Sequence, residues 1–310
     1  MKTILFRTNS SSTIGTGHIM RDLVLASKYK DANIIFATQD LKGNINHKIT
    51  EAGYALHVVK SNSKKELLKL LKSLHVDMLV IDSYDIGYKE EKFIKKNLRI
   101  EILSFDDTYE RHYCDIVLNH NISGDKKRYK GLVPATCKVK CGAKYTLLRD
   151  EFIQEKNKVY KKDKKITNIF IAMGGADTTK LNIKILKVLK KLLHQKSISS
   201  HSLTAHVEID IVTTRANKEL KKLKKYVTNK KNITLHVEST NIAKLMAKSD
   251  LAIVTPSVIL NEVIFMQVPF IAIQTTSNQV DMYNYIREQG YLAMKKFDAK
   301  ELKEMIDEHR

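Results

Sequence analysis

The first residue in this sequence with obvious chemistry to offer is a histidine that closes a small polar loop. SSSTIGTGH (10–18) follows the apolar run TILFRT (3–8) and leads into a helical pattern at 17–29. Gly15 and Gly17 permit a tight turn and a close approach of backbone to a ligand, with Ser12 in the same loop. His18 falls in the first turn of the helix, where free amides and the helix dipole make the potential positive. A positive potential disfavours imidazolium, and a neutral imidazole can accept a proton from water or a hydroxyl. A surface histidine beside a capping loop fits the position equally well. Gly15 and Gly17 also supply the first two glycines of a dinucleotide fingerprint, with Asp40 at a plausible distance for a ribose contact. The third glycine position is Met20, so nicotinamide binding is discounted.

Other strand-end loops carry further candidates. MGGAD (173–177) lies between a strand and a helix, and Gly174 and Gly175 can bring amides up to a phosphate or simply make a turn. In TPSVILNE (255–262), Ser257 is placed to cap a helix. Glu262, inside that helix, can reach a ribose diol or stand as a solvated charge. In TTSNQ (275–279), Asn278 and Gln279 can bond a sugar or begin the next helix. DSYD (82–85) and SFDD (104–107) end two more strands and offer Tyr84, Asp106 and Asp107. Paired carboxylates do acid–base work or bind metal, but such acids more often close turns, the reading favoured for at least one of these. His112, Cys114, Cys137 and Cys141 lack the close paired spacing of a zinc site, and no metal is expected.

These loops need elements to hold them. Short apolar runs at 3–8, 33–38, 55–60, 77–82, 100–105, 114–119 and 139–142 read as strands. Helical patterns at 17–29, 44–53, 63–75 and 88–97 alternate with them. QEKNKVYKKDKK (154–165) is polar and aperiodic and reads as a linker. The alternation then resumes: strands at 167–173, 207–213, 232–237, 250–255 and 269–274, helices at 178–194, 215–227, 241–248, 258–266, 279–289 and 298–309, and a loop at 196–206. Strands alternating with helices of this length predict parallel sheets built from right-handed β-α-β units. The expected class is α/β, with two Rossmann-like doubly wound domains, 1–153 and 167–310, joined by a linker at 154–166 and facing a cleft. Ligands in such sheets bind beyond the carboxyl ends of the strands.

Composition narrows the function classes. At 310 residues with 43% hydrophobic residues the chain can bury two cores, and no apolar run approaches membrane-spanning length. The first ten residues lack the long apolar stretch and cleavage site of a secretory signal. Three cysteines without a CxxC pair fit reduced thiols in a cytoplasm. The net charge of +20 is mostly lysine on predicted helix faces, without the interleaved aromatics of a nucleic-acid surface. A solvated face is the reading preferred; no nucleic-acid partner is expected, and charge alone supplies at most a weak attraction to an anionic membrane surface.

LFRTNSSSTIGTGHIMRDLVLA, VIDSYDIG, ILSFDD, CDIVLN, YKGLVPATCKVKCGAKYTLLRDEF, MGGAD, NIAKLMAKSDLAI, SVILNE and SNQ, in this order over nearly the whole chain, resemble the UDP-sugar hydrolases of pseudaminic acid biosynthesis. That family is related to GT-B glycosyltransferases. The resemblance implies a GT-B-like fold and metal-independent, cofactor-free hydrolysis of UDP-2,4-diacetamido-2,4,6-trideoxy-β-L-altropyranose. Water would attack the anomeric carbon with inversion, releasing UDP and the free sugar. It implies His18 as general base and Tyr84 beside the sugar. Ser12, Gly15, Gly17, Arg149, Gly174, Gly175, Ser257, Asn261, Glu262, Asn278 and Gln279 would lie around the nucleotide and sugar, with a junction salt bridge as the plain alternative for Arg149. A GT-B transferase using a related UDP-sugar is the competing reading. Two departures stand out. Asn9 occupies a position where the family often has an acid, which leaves the tuning of the His18 loop in question. Val258 and Ile259 stand where a serine or threonine is usual, leaving diphosphate contact to backbone amides and Ser257.

Overall fold

A computed structural model describes residues 1–158, 160, 165–175, 177, 179–195 and 203–308. It divides into two compact units, Met1–Leu147 and Leu148–Arg310.

In the first unit the strands are β1 (Lys2–Thr8), β2 (Ala32–Thr38), β3 (Ala55–Val58), β4 (Met78–Asp82), β5 (Glu101–Phe105), β6 (Ile116–Asn119) and β7 (Lys138–Cys141). Helices α1 (Gly17–Ala26), α2 (His47–Glu51), α3 (Lys64–Ser73) and α4 (Tyr88–Asn97) connect them. The sheet is parallel throughout, in the order β3-β2-β1-β4-β5-β6-β7. Alternate strand residues go to opposite faces. Ile4, Phe6, Phe36, Val80 and Leu103 pack with Ile19 and Leu25 of α1. Leu5, Ala37, Leu79, Ile81 and Ile102 pack with Leu67 and Leu71 of α3 and Ile94 of α4. Burial on both faces explains why these strands read as continuous apolar runs in the sequence.

The second unit begins with α5 (Asp150–Lys156), followed by β8 (Ile166–Ala172), α6 (Leu181–Gln195), β9 (Leu203–Thr213), α7 (Leu220–Val227), β10 (Ile233–Val237), α8 (Ile242–Lys248), β11 (Leu251–Val254), α9 (Val258–Met266), β12 (Phe270–Ile273), α10 (Val280–Glu288), β13 (Leu292–Met294) and α11 (Ala299–Glu308). This sheet too is parallel, in the order β10-β9-β8-β11-β12-β13. Ile171, Ile209, Ile253 and Ile271 form its core with Ile185 and Leu189 of α6 and Ile306 of α11.

Two local readings need correction. The stretch read as linker is entered by α5, whose Phe152 is fully buried. Phe152 is the one buried apolar side chain of so short a helix, too little to register as a period. The stretch read as a loop at 196–206 contains the start of β9 at Leu203, and residues 196–202 lie outside the described ones. β13 has three residues and passed unnoticed for the same reason as α5. Among the described residues no helix is long and apolar enough to cross a membrane.

Candidate active site

In the first sheet β1 and β4 are hydrogen-bonded neighbours, yet β1 leads outward to β2 and β4 outward to β5. Chain reversal at that point opens a crevice beyond the strand ends, where ligands bind in such sheets. The loop after β1 and the end of β4 therefore share one place, and His18 and Asp82 meet there.

The serines build the loop. Ser10 Oγ accepts from the Ile45 amide at 3.0 Å, and Ser11 Oγ accepts from the amides of Thr13 and Ile14 at 3.1 and 2.9 Å. The Ser12 amide donates to Lys42 O at 3.0 Å. Gly15 closes the turn at φ +90°, a conformation that side chains resist, with its amide on Ser11 O at 2.9 Å. Gly17 then starts α1, so His18 is its second residue, as its place in the sequence predicts.

His18 Nδ1 lies 3.2 Å from Asp82 O and 3.2 Å from Asp82 Oδ1. Both are acceptors, so the proton of a neutral ring sits on Nδ1 and Nε2 keeps its lone pair. Nε2 makes no hydrogen bond among the described residues, and the side chain retains 11% exposure. Arg21, one helical turn on and hence on the same face of α1, grips Asp82 from the other side. Its Nε and Nη2 donate to Oδ2 and Oδ1 at 2.6 and 2.5 Å. Burial is the largest effect on the Asp82 carboxyl and would raise it; the Arg21 charge and hydrogen bonds, together with the neighbouring histidines, outweigh it and hold that group below the usual carboxylate range. Arg21 Nη1 also donates to Asp107 Oδ2 and His120 Nε2, both at 3.3 Å. Burial, then the Arg21 charge, pushes His120 down to about 3, so it stays neutral. Tyr84 Oη donates to Asp107 Oδ1 at 2.9 Å, and the Tyr84 ring stands edge-on to His18 with centroids 5.2 Å apart. Tyr84 is 54% exposed, so it is the member of this group most open to solvent.

The paired acids of SFDD thus part company. Asp107 joins the His18 group, whereas Asp106 Oδ1 accepts from Thr108 N and Oγ1 at 3.0 and 3.1 Å and closes a turn. Asn9 faces elsewhere: its Oδ1 accepts from Arg7 Nη1 at 2.9 Å and from Gln39 N at 2.8 Å. Position 9 therefore faces Arg7 and not His18, and burial lowers the Arg7 guanidinium to about 10. Asp40, considered for a ribose, accepts from Asn44 Nδ2 at 2.9 Å. Sequence reasoning missed Arg21 and His120 and did not separate Asp82 from acids that merely close turns. The available signal was the His18–Arg21 spacing on one helix face.

Asp22, beside Arg21 on α1, is fully buried, and burial followed by the Asp82 charge raises its carboxyl well above the usual range. Folding thus favours its protonated form, whereas the unfolded chain ionises it near pH ~3.9. The unfolded state then binds fewer protons, so this site costs stability as pH rises from about 4 toward the folded pKa. Asp22→Asn is expected to raise the Tm at neutral pH, with a gain that disappears below about pH 3–4. Thermal unfolding followed across that pH range checks it, and an equal gain at every pH would contradict it.

The second unit has its own switch point, between β8 and β11. Gly174 takes φ +76° in the turn after β8, and Gly175 O accepts from the Thr213 and Thr214 hydroxyls at 3.1 and 2.9 Å. Asp177 caps α6, Oδ1 accepting from Leu181 N at 2.9 Å; Ala176 and Thr178 of this stretch lie outside the described residues. Ser257 occupies the N-cap position of α9 but does not cap it: its hydroxyl lies 2.9 Å from Thr255 Oγ1. Glu262 is buried rather than solvated, in a bidentate pair with Arg149 (Nε–Oε1 2.8 Å, Nη2–Oε2 2.9 Å). Arg149 also meets Glu151 at 2.7 Å. Burial disfavours the Arg149 charge, but Glu262 and Glu151 outweigh it and hold the guanidinium above its ordinary value. Arg149 thus forms its salt bridges inside the second unit, not at a junction. Asn261 is buried in α9. Gln279 turns inward, Oε1 accepting from the Thr275 amide at 2.8 Å, and Asn278 Oδ1 accepts from Thr276 Oγ1 at 2.6 Å.

No family model matches the chain. A curated relative does: the UDP-2,4-diacetamido-2,4,6-trideoxy-β-L-altropyranose hydrolase of Campylobacter jejuni subsp. jejuni serotype O:2 is 40% identical over 288 residues, covering 93% of this chain and 97% of the relative. The chain belongs to this hydrolase family. Solved structures agree on the fold. Acinetobacter baumannii MurG superposes with a TM-score of 0.61 at 14% identity, over 98% of this chain and 90% of its own. The spinosyn rhamnosyltransferase SpnG complexed with thymidine diphosphate gives 0.62 at 10% identity, over 100% and 90%. The fold of this hydrolase-family chain is accordingly GT-B, made of two parallel-sheet α/β domains, as the sequence implied.

Proposed function

We propose that the chain hydrolyses UDP-2,4-diacetamido-2,4,6-trideoxy-β-L-altropyranose to UDP and 2,4-diacetamido-2,4,6-trideoxy-L-altrose, a step of pseudaminic acid biosynthesis in the cytoplasm. His18 Nε2 takes a proton from water as the water oxygen bonds to C1. The bond between C1 and the diphosphate oxygen breaks, its electrons leave with UDP, and the configuration at C1 inverts. The observation that carries the reading is the Asp82 carboxylate and carbonyl on His18 Nδ1, which leave Nε2 as the acceptor. As the ring gains its proton, Asp82 stabilises the imidazolium, while Arg21 keeps the carboxylate ionised and in place. Base catalysis of this kind contributes about 10²–10⁴-fold, and positioning of water and stabilisation of the leaving diphosphate supply the rest. We assign the diphosphate to the amides at Gly174, Gly175 and the start of α9, and the sugar to the Ser12–Gly17 loop and Tyr84. Arg149 acts by holding Glu262, and Asn261, Asn278 and Gln279 shape the nucleotide pocket. The proposed steps use no metal.

The 40% identity to a hydrolase supports water as the acceptor. Incubation of the UDP-sugar in heavy-oxygen water tests it. UDP release without any added acceptor, with the label on C1 of the free sugar and the α-anomer formed first, is the expected result. Label in UDP would move the broken bond to phosphorus. Turnover only with an added acceptor would make the enzyme a transferase.

A further inference from the structure

Away from the His18 group, Cys114 and Cys137 bring their sulfurs to 3.8 Å. They flank the first paired position of two neighbouring parallel strands, Ile116 of β6 against Lys138 of β7. Parallel strands so paired run about 4.8 Å apart, and the two cysteines just precede them, one position out of register. The sulfurs are thus already in contact. Cys114 is 3% exposed, whereas Cys137 is half-buried and keeps access to solvent.

We propose that Cys114 and Cys137 form a peroxide-sensitive thiol pair, a modification site with Cys137 as the attacking sulfur and Cys114 as the resolving one. The facing sulfur and His112 support this division of labour. The Cys114 S–H, donated to the facing sulfur, lowers the Cys137 thiol against the opposing effect of burial. The same contact, with burial, raises Cys114. His112 lies close by, its Nδ1 bonded to the fully buried Glu91 at 2.7 Å. Burial works against a charge on His112, but Glu91 outweighs it and favours the imidazolium, a cation whose field supports a thiolate at Cys137.

The chemistry needs only a hydroperoxide. The Cys137 thiolate attacks the peroxide, an S–O bond forms, the O–O bond breaks, and the departing oxygen leaves as alcohol or water. Cys114 sulfur then attacks the sulfenic acid; the S–S bond forms, the S–O bond breaks, and hydroxide leaves with the Cys114 proton as water. Two thiols are oxidised and one peroxide is reduced. The bond closes the loop 115–136, which includes Tyr129, itself bonded to Asn119 and the Asp106 carbonyl.

Thiol titration and peptide mass spectrometry of the full chain, before and after hydrogen peroxide, test the proposal. The expected result is loss of two of the three titratable thiols, a Cys114–Cys137 cross-linked peptide lighter by two hydrogens, and full recovery with dithiothreitol. Cys141→Ser should leave all of this unchanged. Cys114→Ser should trap a sulfenic acid at Cys137 that dimedone labels, and Cys137→Ser should abolish both products. Circular dichroism confirms that each variant is folded. If instead Cys141 oxidises first, or Cys137 over-oxidises without cross-linking in the unsubstituted chain, the pair is only a packing contact.

Discussion

His18→Asn is expected to lower kcat for UDP release by about 10²–10⁴-fold, the range for loss of a positioned general base. KM should change little, because the imidazole acts on water rather than on the bound sugar. Asparagine fills similar space, and its amide can still reach the Asp82 carboxylate, so the fold of the first unit should persist. Nothing then remains at the Nε2 position to take a proton. Steady-state kinetics with the UDP-sugar, beside an unchanged unfolding transition, check the prediction. Normal turnover would remove His18 from the reaction. A raised KM with kcat intact would make it a binding residue.

The second large effect concerns stability. Arg21→Met is expected to cost about 3–5 kcal/mol, the usual consequence of leaving one partner of a buried ion pair behind. Arg21 and Asp82 are 4% and 2% exposed, so water cannot replace the lost guanidinium. The substitution also takes a cation from over the Phe105 ring, 4.9 Å away. For a unit of this size such a loss lowers the Tm by roughly 6–20 °C. Catalysis should suffer as well, because an Asp82 carboxylate without Arg21 is freer to protonate and to turn from His18. Denaturant unfolding of the single variant and of Arg21→Met/Asp82→Leu separates the causes. The double substitution, which removes both charges, should recover part of the stability. A single variant as stable as the parent would mean that the pair is solvated.

Much of the architecture could be read along the chain. Ile4, Phe6, Ile34 and Phe36 stand in apolar runs that alternate with helices such as KKELLKLLKS, and both patterns rest on contacts between residues a few positions apart. The glycines of the IGTGH loop and their place before α1 are likewise local facts, so His18 could be found from its neighbours. The elements that escaped, α5 and β13, are too short to show a period.

Taken alone, the sequence thus determined two parallel-sheet units, the loops that end their strands, and a histidine at a helix start. The partners of those side chains were decided by tertiary structure. Arg21 meets Asp82 across 61 positions and His120 across 99, and Arg149 meets Glu262 across 113. The same decision paired the Glu262 carboxylate with Arg149 and set the Ser257 hydroxyl against Thr255 instead of the helix amides. Strand order brings such residues together, and strand order depends on how crossovers pack on a sheet. A carboxylate's charge, and a histidine's free nitrogen, follow from what that packing sets beside them.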